Sequence, residues 1–498
     1  MEYLKLQNGS DVRGIALPGV EGEEVNLTSE AVGNISRGFA AFLQKQSGKS
    51  PDQISISIGN DSRLSGPAIK QAAIESLSNL GCQVADFGLA STPAMFMSTI
   101  TSGYLFDGAI MLTASHLPWN RNGMKFFTPK GGLEKKEVSE VLELAKFGIF
   151  SANNKKGEIR SIPFMDVYAN QLCNKIRRET GIDKPLQNLK IIVDAGNGAG
   201  GFFANQVLVP LGADISGSQF LDPDGRFPNH IPNPESQEAM DSIIHAVKKH
   251  KSDLGIIFDT DVDRAALVDS EGNQINRNRL VALMSAIVLG EHPGSTIVTD
   301  SITSDGLSIF IRQNLQGRHH RFKRGYKNVI NESIRLNKEG QESWLAIETS
   351  GHAAMKENYF LDDGAYLIAK VLIKMAKCRM AGEAFPGELL KGLTEPVEDK
   401  EIRFSILVPE FASYAKNVLE ELTLFVNSIE GWSVVPDNYE GIRVSCSPKS
   451  GNGWFLLRMS LHDPVMPLNA ESNIPGGVKQ ILDLLNPFFK KMDGLKVK

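Results

Sequence analysis

Short apolar runs, each ending in a polar loop and followed by a helix-like pattern, recur along the chain. They occur at Ile54-Ser-Ile-Ser-Ile-Gly-Asn-Asp61, Leu189-Lys-Ile-Ile-Val-Asp-Ala-Gly196, Leu254-Gly-Ile-Ile-Phe-Asp259, Thr296-Ile-Val-Thr-Asp300 and Trp344-Leu-Ala-Ile-Glu348. Apolar strands alternating with helices predict βαβ units, largely parallel sheets and an α/β fold. Polar groups at the carboxyl ends of such strands mark the ligand-binding edge of the sheet. The texture changes after a proline-bearing charged linker near 385–400. A helix-like run over 410–429 is followed by strand-like Trp432-Ser-Val-Val435 and Trp454-Phe-Leu-Leu-Arg458, which predicts a smaller α+β domain. With further breaks near 150–158 and 269–275, the expected domains are 1–157, 158–269, 270–393 and 394–498.

Composition narrows the class. A 42% hydrophobic, 22% charged chain is ordinary for a globular protein with sizeable cores. A net charge of -5 without a basic run argues against nucleic acid. The most apolar run, 280–289, is too short to span a bilayer, which needs about 20 residues. No membrane partner is expected. Cys82, Cys173, Cys378 and Cys446 show no CxxC spacing and read as reduced core thiols. The expected location is the cytoplasm, or the plastid stroma if a targeting segment has been removed.

Three loops carry candidate chemistry. Ile110-Met-Leu-Thr-Ala-Ser-His-Leu-Pro118 begins as a strand and ends in Thr113, Ser115 and His116, a way of presenting a nucleophile from a rigid sheet. A Ser/Thr turn is the plainer use of such residues. Asn122-Gly123 reads as a turn that brings Lys125 to the same mouth. Asp259-Thr-Asp-Val-Asp-Arg264 places three carboxylates at alternate positions, where they repel unless a cation lies among them. Oxygen-only ligands suit Mg²⁺ or Mn²⁺, and an EF-hand fails because Arg264 and Ser270 stand where Gly and Glu are required. Glu348-Thr-Ser-Gly-His352 offers a carboxylate, a hydroxyl and an imidazole for recognising hydroxyls. Asp194-Ala-Gly-Asn-Gly-Ala-Gly-Gly201 contains GxGxxG, so a dinucleotide site stays open beside a tight turn; Asp214 is near the required spacing but precedes a strand-like piece. Arg13, Lys125, Lys327 and Arg458 lie beside glycine or turn residues, positions suited to phosphate contacts.

Thr113-Ala-Ser-His116, Asp259-x-Asp-x-Asp-Arg264 and Glu348-x-Ser-Gly-His352 stand in the order and rough spacing of the α-D-phosphohexomutases. With Asp11-Val-Arg-Gly14, Asp61-Ser-Arg-Leu-Ser-Gly66, Asp194-Ala-Gly-Asn-Gly198 and Gly225-Arg-Phe-Pro-Asn-His230, the chain resembles the phosphomannomutase/phosphoglucomutase branch along nearly its whole length. The resemblance implies three similar mixed α/β domains plus a smaller C-terminal α+β domain around a central active-site cleft. It implies a phosphoserine at Ser115, completing a single Mg²⁺ site with Asp259, Asp261 and Asp263. Phosphoryl transfer then interconverts hexose 1-phosphate and hexose 6-phosphate through a 1,6-bisphosphate, which also serves as activator. His116, Lys125 and Arg264 would line the transfer site, with Arg13 and Lys327 facing the cleft. Glu348 and Ser350 would hold sugar hydroxyls, and His352 would assist proton transfer. Hexose phosphates are the expected partners, and a monomer or homodimer the expected state.

One region departs from the pattern Arg-x-Ser-Gly-Thr-Glu-Pro. Here Arg458 and Ser460 stand, but Leu461 replaces the glycine, His462 the small hydroxyl, and Pro467 falls near a later arginine. Asn60 likewise stands where arginine is common. Two alternatives therefore accompany the mutase: a phosphotransferase releasing the bisphosphate, and a non-catalytic sugar-phosphate-binding paralogue.

Overall fold

The computed structural model describes residues 2–148, 155–460 and 463–498. It divides into two compact units, residues 1–280 with 350–388, and residues 281–349 with 389–498.

The first unit holds an eight-stranded sheet. Its main path runs Gln7–Asn8, Asp11–Ile15, Arg121–Thr128, Gly108–Leu112, Ser55–Asn60, Gln83–Leu89 and Ile159–Ser161. The central strands are parallel, as the alternation of strand and helix predicts, whereas Arg121–Thr128 runs antiparallel to both its neighbours. Helices Ser29–Ser47, Gly66–Asn79 and Lys135–Phe147 supply residues to one core with the sheet, including Phe39, whose ring lies 4.9 Å from that of Phe126. The long helix starts where Thr28 caps the Ala31 amide and stops at left-handed Gly48.

Asn122 and Gly123 do not form the expected turn; they lie inside the strand Arg121–Thr128. The glycine is there for close approach. A Cβ would sit 2.3 Å from the Val12 carbonyl oxygen and 2.7 Å from that of Thr113. Lys125 therefore reaches its place from a strand, opposite Met111.

A second sheet in this unit orders Gln274–Ile275, Ala265–Asp269, Leu254–Phe258 and Ile191–Asp194. Leu254–Phe258 and Ala265–Asp269 are antiparallel, with Phe258 opposite Ala265, so the three-aspartate segment is the loop of a hairpin. Val262 takes the left-handed conformation within that loop (φ 67°).

In the second unit, Thr296–Thr299 pairs in parallel with Arg318–Arg321 and Ser343–Ile347. A separate six-stranded sheet, antiparallel in its pairings, shares a core with helices Phe411–Val426 and Gly477–Phe489. This is the expected smaller α+β arrangement. All four cysteines are buried and unbridged. Among the described residues, no helix is long and apolar enough to cross a membrane.

Candidate active site

Ser115 stands in the loop after Gly108–Leu112, buried and in the left-handed conformation (φ 49°). Its amide donates to Thr113 Oγ1 at 2.9 Å, and its carbonyl accepts from Thr260 Oγ1 at 2.8 Å. The hydroxyl donates to Asp259 Oδ2 at 2.9 Å. The nucleophile candidate and the acidic loop, 144 residues apart in sequence, thus meet by direct hydrogen bonds.

Asp259, Asp261 and Asp263 are buried and offer oxygens that all lie within 4.8 Å of one another. Burial, then the Asp263 and Asp261 charges, push the Asp259 carboxyl well above the usual carboxylate range. Burial also opposes ionisation of Asp263, yet Lys125, His352 and Arg264 hold it well below that range. Lys125 Nζ lies 2.5 Å from Asp263 Oδ2 and 3.3 Å from Asp261 Oδ2, and Thr92 donates its hydroxyl to Asp261. The remaining oxygens, Oδ1 of Asp261 and Oδ1 of Asp263, are buried without a hydrogen-bond partner among the described residues. Orphaned buried carboxylate oxygens are costly, and a hard divalent cation with an oxygen-only ligand set satisfies them. The residues fit Mg²⁺.

Arg264 joins the two loops. Its Nη2 donates to His116 Nδ1 at 2.7 Å and to Ser115 Oγ at 3.3 Å, and its Nε lies 3.3 Å from Asp259 Oδ2. Asn233 and Glu235 hold its other terminal nitrogen at 3.1 and 3.4 Å. Because a guanidinium only donates, His116 Nδ1 accepts here and the proton resides on Nε2. Burial, then Arg264 and Arg13, press the His116 pKa down to about 2. His352 is the opposite case. Burial disfavours its charge, but the Asp362 and Asp263 carboxylates raise its pKa to about 9, with Asp362 hydrogen-bonded to Nδ1. His352 also bridges Arg264 through the backbone, and its Nδ1 lies 4.0 Å from Asp263 Oδ1. Arg13 pairs with Asp11 at 2.8 Å and approaches the Thr113 carbonyl at 3.5 Å.

The glycine-rich turn at 196–201 packs on the acidic loop. The Ala199 amide donates to the Thr260 carbonyl at 2.8 Å, and a Cβ on Gly198 would lie 2.9 Å from Thr260 Cα. Asp194 accepts from His230 at 3.0 Å and Gln219 at 2.7 Å. Asp214 is ion-paired with Lys190 at 3.4 Å. The turn shapes the neighbouring loop, as a tight inter-element connection does.

Within the second unit, Glu348 Oε1 accepts from the Gly325 amide at 2.6 Å, and Lys327 lies in the first turn of helix Tyr326–Lys338. Arg458 is buried, with Nη1 3.8 Å from Glu440 Oε1 and Nε without a hydrogen-bond partner among the described residues. Glu440 also accepts from Ser301 at 2.5 Å and from the Arg324 amide at 3.1 Å. Ser350, in the first unit, is buried; Ser460 lies half-buried, its amide donating to the Val465 carbonyl at 2.8 Å. Leu461 and His462 lie outside the described residues.

The chain matches phosphoglucomutase/phosphomannomutase α/β/α domain I over residues 5–148, domain II over 166–272 and domain III over 276–392. It belongs to the phosphoglucomutase/phosphomannomutase family. The phosphomannomutase/phosphoglucomutase of Pseudomonas syringae pv. tomato is 30% identical over 484 residues, 97% of this chain and 94% of that one. A phosphoglucomutase of Neisseria meningitidis is 28% identical, covering 95% of this chain and 94% of its own. A solved family protein from Burkholderia thailandensis superposes with a TM-score of 0.80 at 27% identity, over the whole of both chains. Membership removes the dinucleotide reading of residues 196–201.

The residues first brought to notice by the structure are mostly supports. Asp362 carried no sequence signal beyond the pair Asp362-Asp363, and Thr92 none. Asp61 and Arg63 lay in a quoted motif, but nothing in it disclosed that they grip the serine loop.

Proposed function

We propose that this member of the family is a Mg²⁺-dependent phosphohexomutase, interconverting hexose 1-phosphate and hexose 6-phosphate through a phosphoserine at Ser115 and a bound 1,6-bisphosphate. The observation that carries the reading is the 2.9 Å hydrogen bond from Ser115 Oγ to a buried carboxylate triad with orphaned oxygens.

The Ser115 Oγ–P bond breaks as a bond forms from phosphorus to the sugar hydroxyl oxygen, whose proton must leave. The resulting bisphosphate turns round, and its other phosphoryl group returns to Ser115 while the freed sugar oxygen regains a proton. Magnesium held by Asp259, Asp261, Asp263 and the serine phosphate would neutralise charge on the transferring oxygens. Arg264 and Lys125 contribute fixed positive charge beside the same atoms. His116, kept neutral, lines the site without adding charge. His352, made more basic by Asp362, is suited in its neutral form to taking the proton of the attacking sugar hydroxyl and then returning it to the freed sugar oxygen. Glu348 and Ser350 are assigned to sugar hydroxyls, with Arg13, Lys327, Arg458, Ser460 and His462 assigned to phosphate contacts.

Ser115→Ala should fold normally and lose at least about a thousandfold in turnover, the scale of removing a covalent path. Phosphopeptide mapping should find phosphate on Ser115 of the native enzyme. Near-normal mutase turnover in the alanine variant would refute the mechanism.

A second reading, net release of hexose 1,6-bisphosphate, is favoured by one feature. The expected phosphate loop presents Arg458 already close to Glu440, and Pro467, near the place of a second arginine, lies in the strand Val465–Ser472 and accepts the Arg458 amide at 3.1 Å.

A further inference from the structure

We infer that Arg63 is the positioning residue of the serine loop, its guanidinium holding the carbonyls of residues 115–121 in the arrangement that turns the Ser115 hydroxyl towards Asp259. The inference rests on the phosphoserine reading above and adds how the nucleophile is aimed.

The Arg63 side chain is fully buried, as is that of its partner Asp61, whose Oδ2 lies 3.3 Å from Nε. Nη1 donates to the carbonyls of Pro118 at 2.8 Å and Arg121 at 2.9 Å. Nη2 donates to that of Leu117 at 2.6 Å and to that of Ser115 itself. Four inward-facing carbonyls of one loop thus converge on one cation. Asp61 completes the grip from the other side, accepting from Thr113 Oγ1 at 2.7 Å, and Thr113 Oγ1 in turn accepts from the Ser115 amide at 2.9 Å. Ser115 is therefore held at both its N–H and its C=O.

That double hold matters because the serine has a positive φ, a conformation side chains rarely adopt without support from their surroundings. The site is also closed over. The Phe227 ring centroid lies 5.4 Å from the guanidinium carbon, and a Cβ on Gly225 would stand 2.7 Å from Arg63 Cα. A buried ion pair is weak evidence for a stabilising role, since its desolvation offsets its attraction. Here all four terminal contacts go to the loop that carries the nucleophile. A lysine has three donors on a single atom and cannot reproduce the planar fork.

The test uses the full-length enzyme with magnesium, comparing wild type, Arg63→Lys, Arg63→Ala and Thr113→Val. The last leaves Arg63 intact and cuts only the link from Asp61 to the Ser115 amide. Phosphorylation of Ser115 by glucose 1,6-bisphosphate is followed by intact mass, and kcat and KM by conversion of glucose 1-phosphate. A nucleophile displaced by an ångström costs roughly a hundredfold. Arg63→Lys should lose about that factor in both phosphorylation rate and kcat, with KM within about threefold. Thr113→Val should lose less, with the same split. Sub-denaturing guanidinium should restore part of the rate to Arg63→Ala and none to Arg63→Lys. Wild-type rates in folded Arg63→Lys would overturn the proposal, as would a fall in kcat and melting temperature together with a large rise in KM and no rescue. Failure of all three variants to fold would also overturn it, by making the residue structural. A wild-type enzyme never phosphorylated on Ser115 would instead defeat the parent reading, a separate and distinguishable result.

Discussion

Asp259→Asn should leave the metal-free protein at least as stable as wild type while abolishing its response to magnesium. The triad oxygens lie within 4.8 Å of one another. At an effective dielectric of about 20, each like-charge pair at that separation costs about 3.5 kcal/mol. Two such pairs act on Asp259, about 7 kcal/mol in all, against an attraction of about 5 kcal/mol from Arg264 Nε at 3.3 Å. Burial, acting with this repulsion and against Arg264 and His352, favours a neutral side chain at this position when no cation is present, in agreement with the raised pKa of Asp259. Asparagine supplies that neutral side chain permanently. In wild type, magnesium at about a hundred times its dissociation constant should stabilise by about 2.7 kcal/mol. The measurement is thermal unfolding of both proteins in chelator and across a magnesium titration. Refutation would be an asparagine variant about 1 kcal/mol or more less stable than wild type in chelator, or one with the wild-type magnesium shift. Either result would make the carboxylates structural.

Two further expectations concern His352 and the phosphate loop. His352 has a folded pKa of about 9, above its unfolded value of about 6.5. Its contribution is therefore complete below about pH 6.5 and disappears as pH rises through about 9; the ceiling of about 3 kcal/mol should be lower for a side chain still 18% exposed. Asp362→Asn should bring the imidazole titration, followed by NMR in metal-free protein, back towards neutral pH and flatten that alkaline loss; an unchanged titration would refute the pairing. If the Arg458 loop holds the distal phosphate weakly, free hexose 1,6-bisphosphate should accumulate during single turnover of stoichiometrically phosphorylated enzyme, and conversion should need added bisphosphate. Losing one charge-assisted hydrogen bond, about 1.5–3 kcal/mol, weakens that hold roughly ten- to a hundredfold or more. An enzyme that stays phosphorylated through many cycles would show the loop's departures to be neutral.

What could be read from sequence was the chemistry carried on short contiguous stretches. Three aspartates at alternate positions crowd their carboxylates within one short loop, so the demand for a cation is legible locally, although the fold then drives Asp259 up and Asp263 down. The strand and helix alternation was legible for the same reason, since apolar periodicity is local. The error at Asn122-Gly123 arose where a tertiary demand used a turn residue for another purpose. Gly123 is required by the carbonyls of Val12 and Thr113, one of them 111 residues away in sequence. The supports were hidden for the complementary reason. Arg63, Thr92 and Asp362 become meaningful only once the fold brings residues 115–121, 261 and 352 against them. A guanidinium in Asp61-Ser-Arg63 has no visible object until four carbonyls turn inward towards it. The sequence thus displayed the groups proposed to meet phosphate and metal, whereas the groups that hold them in place are distributed along the chain.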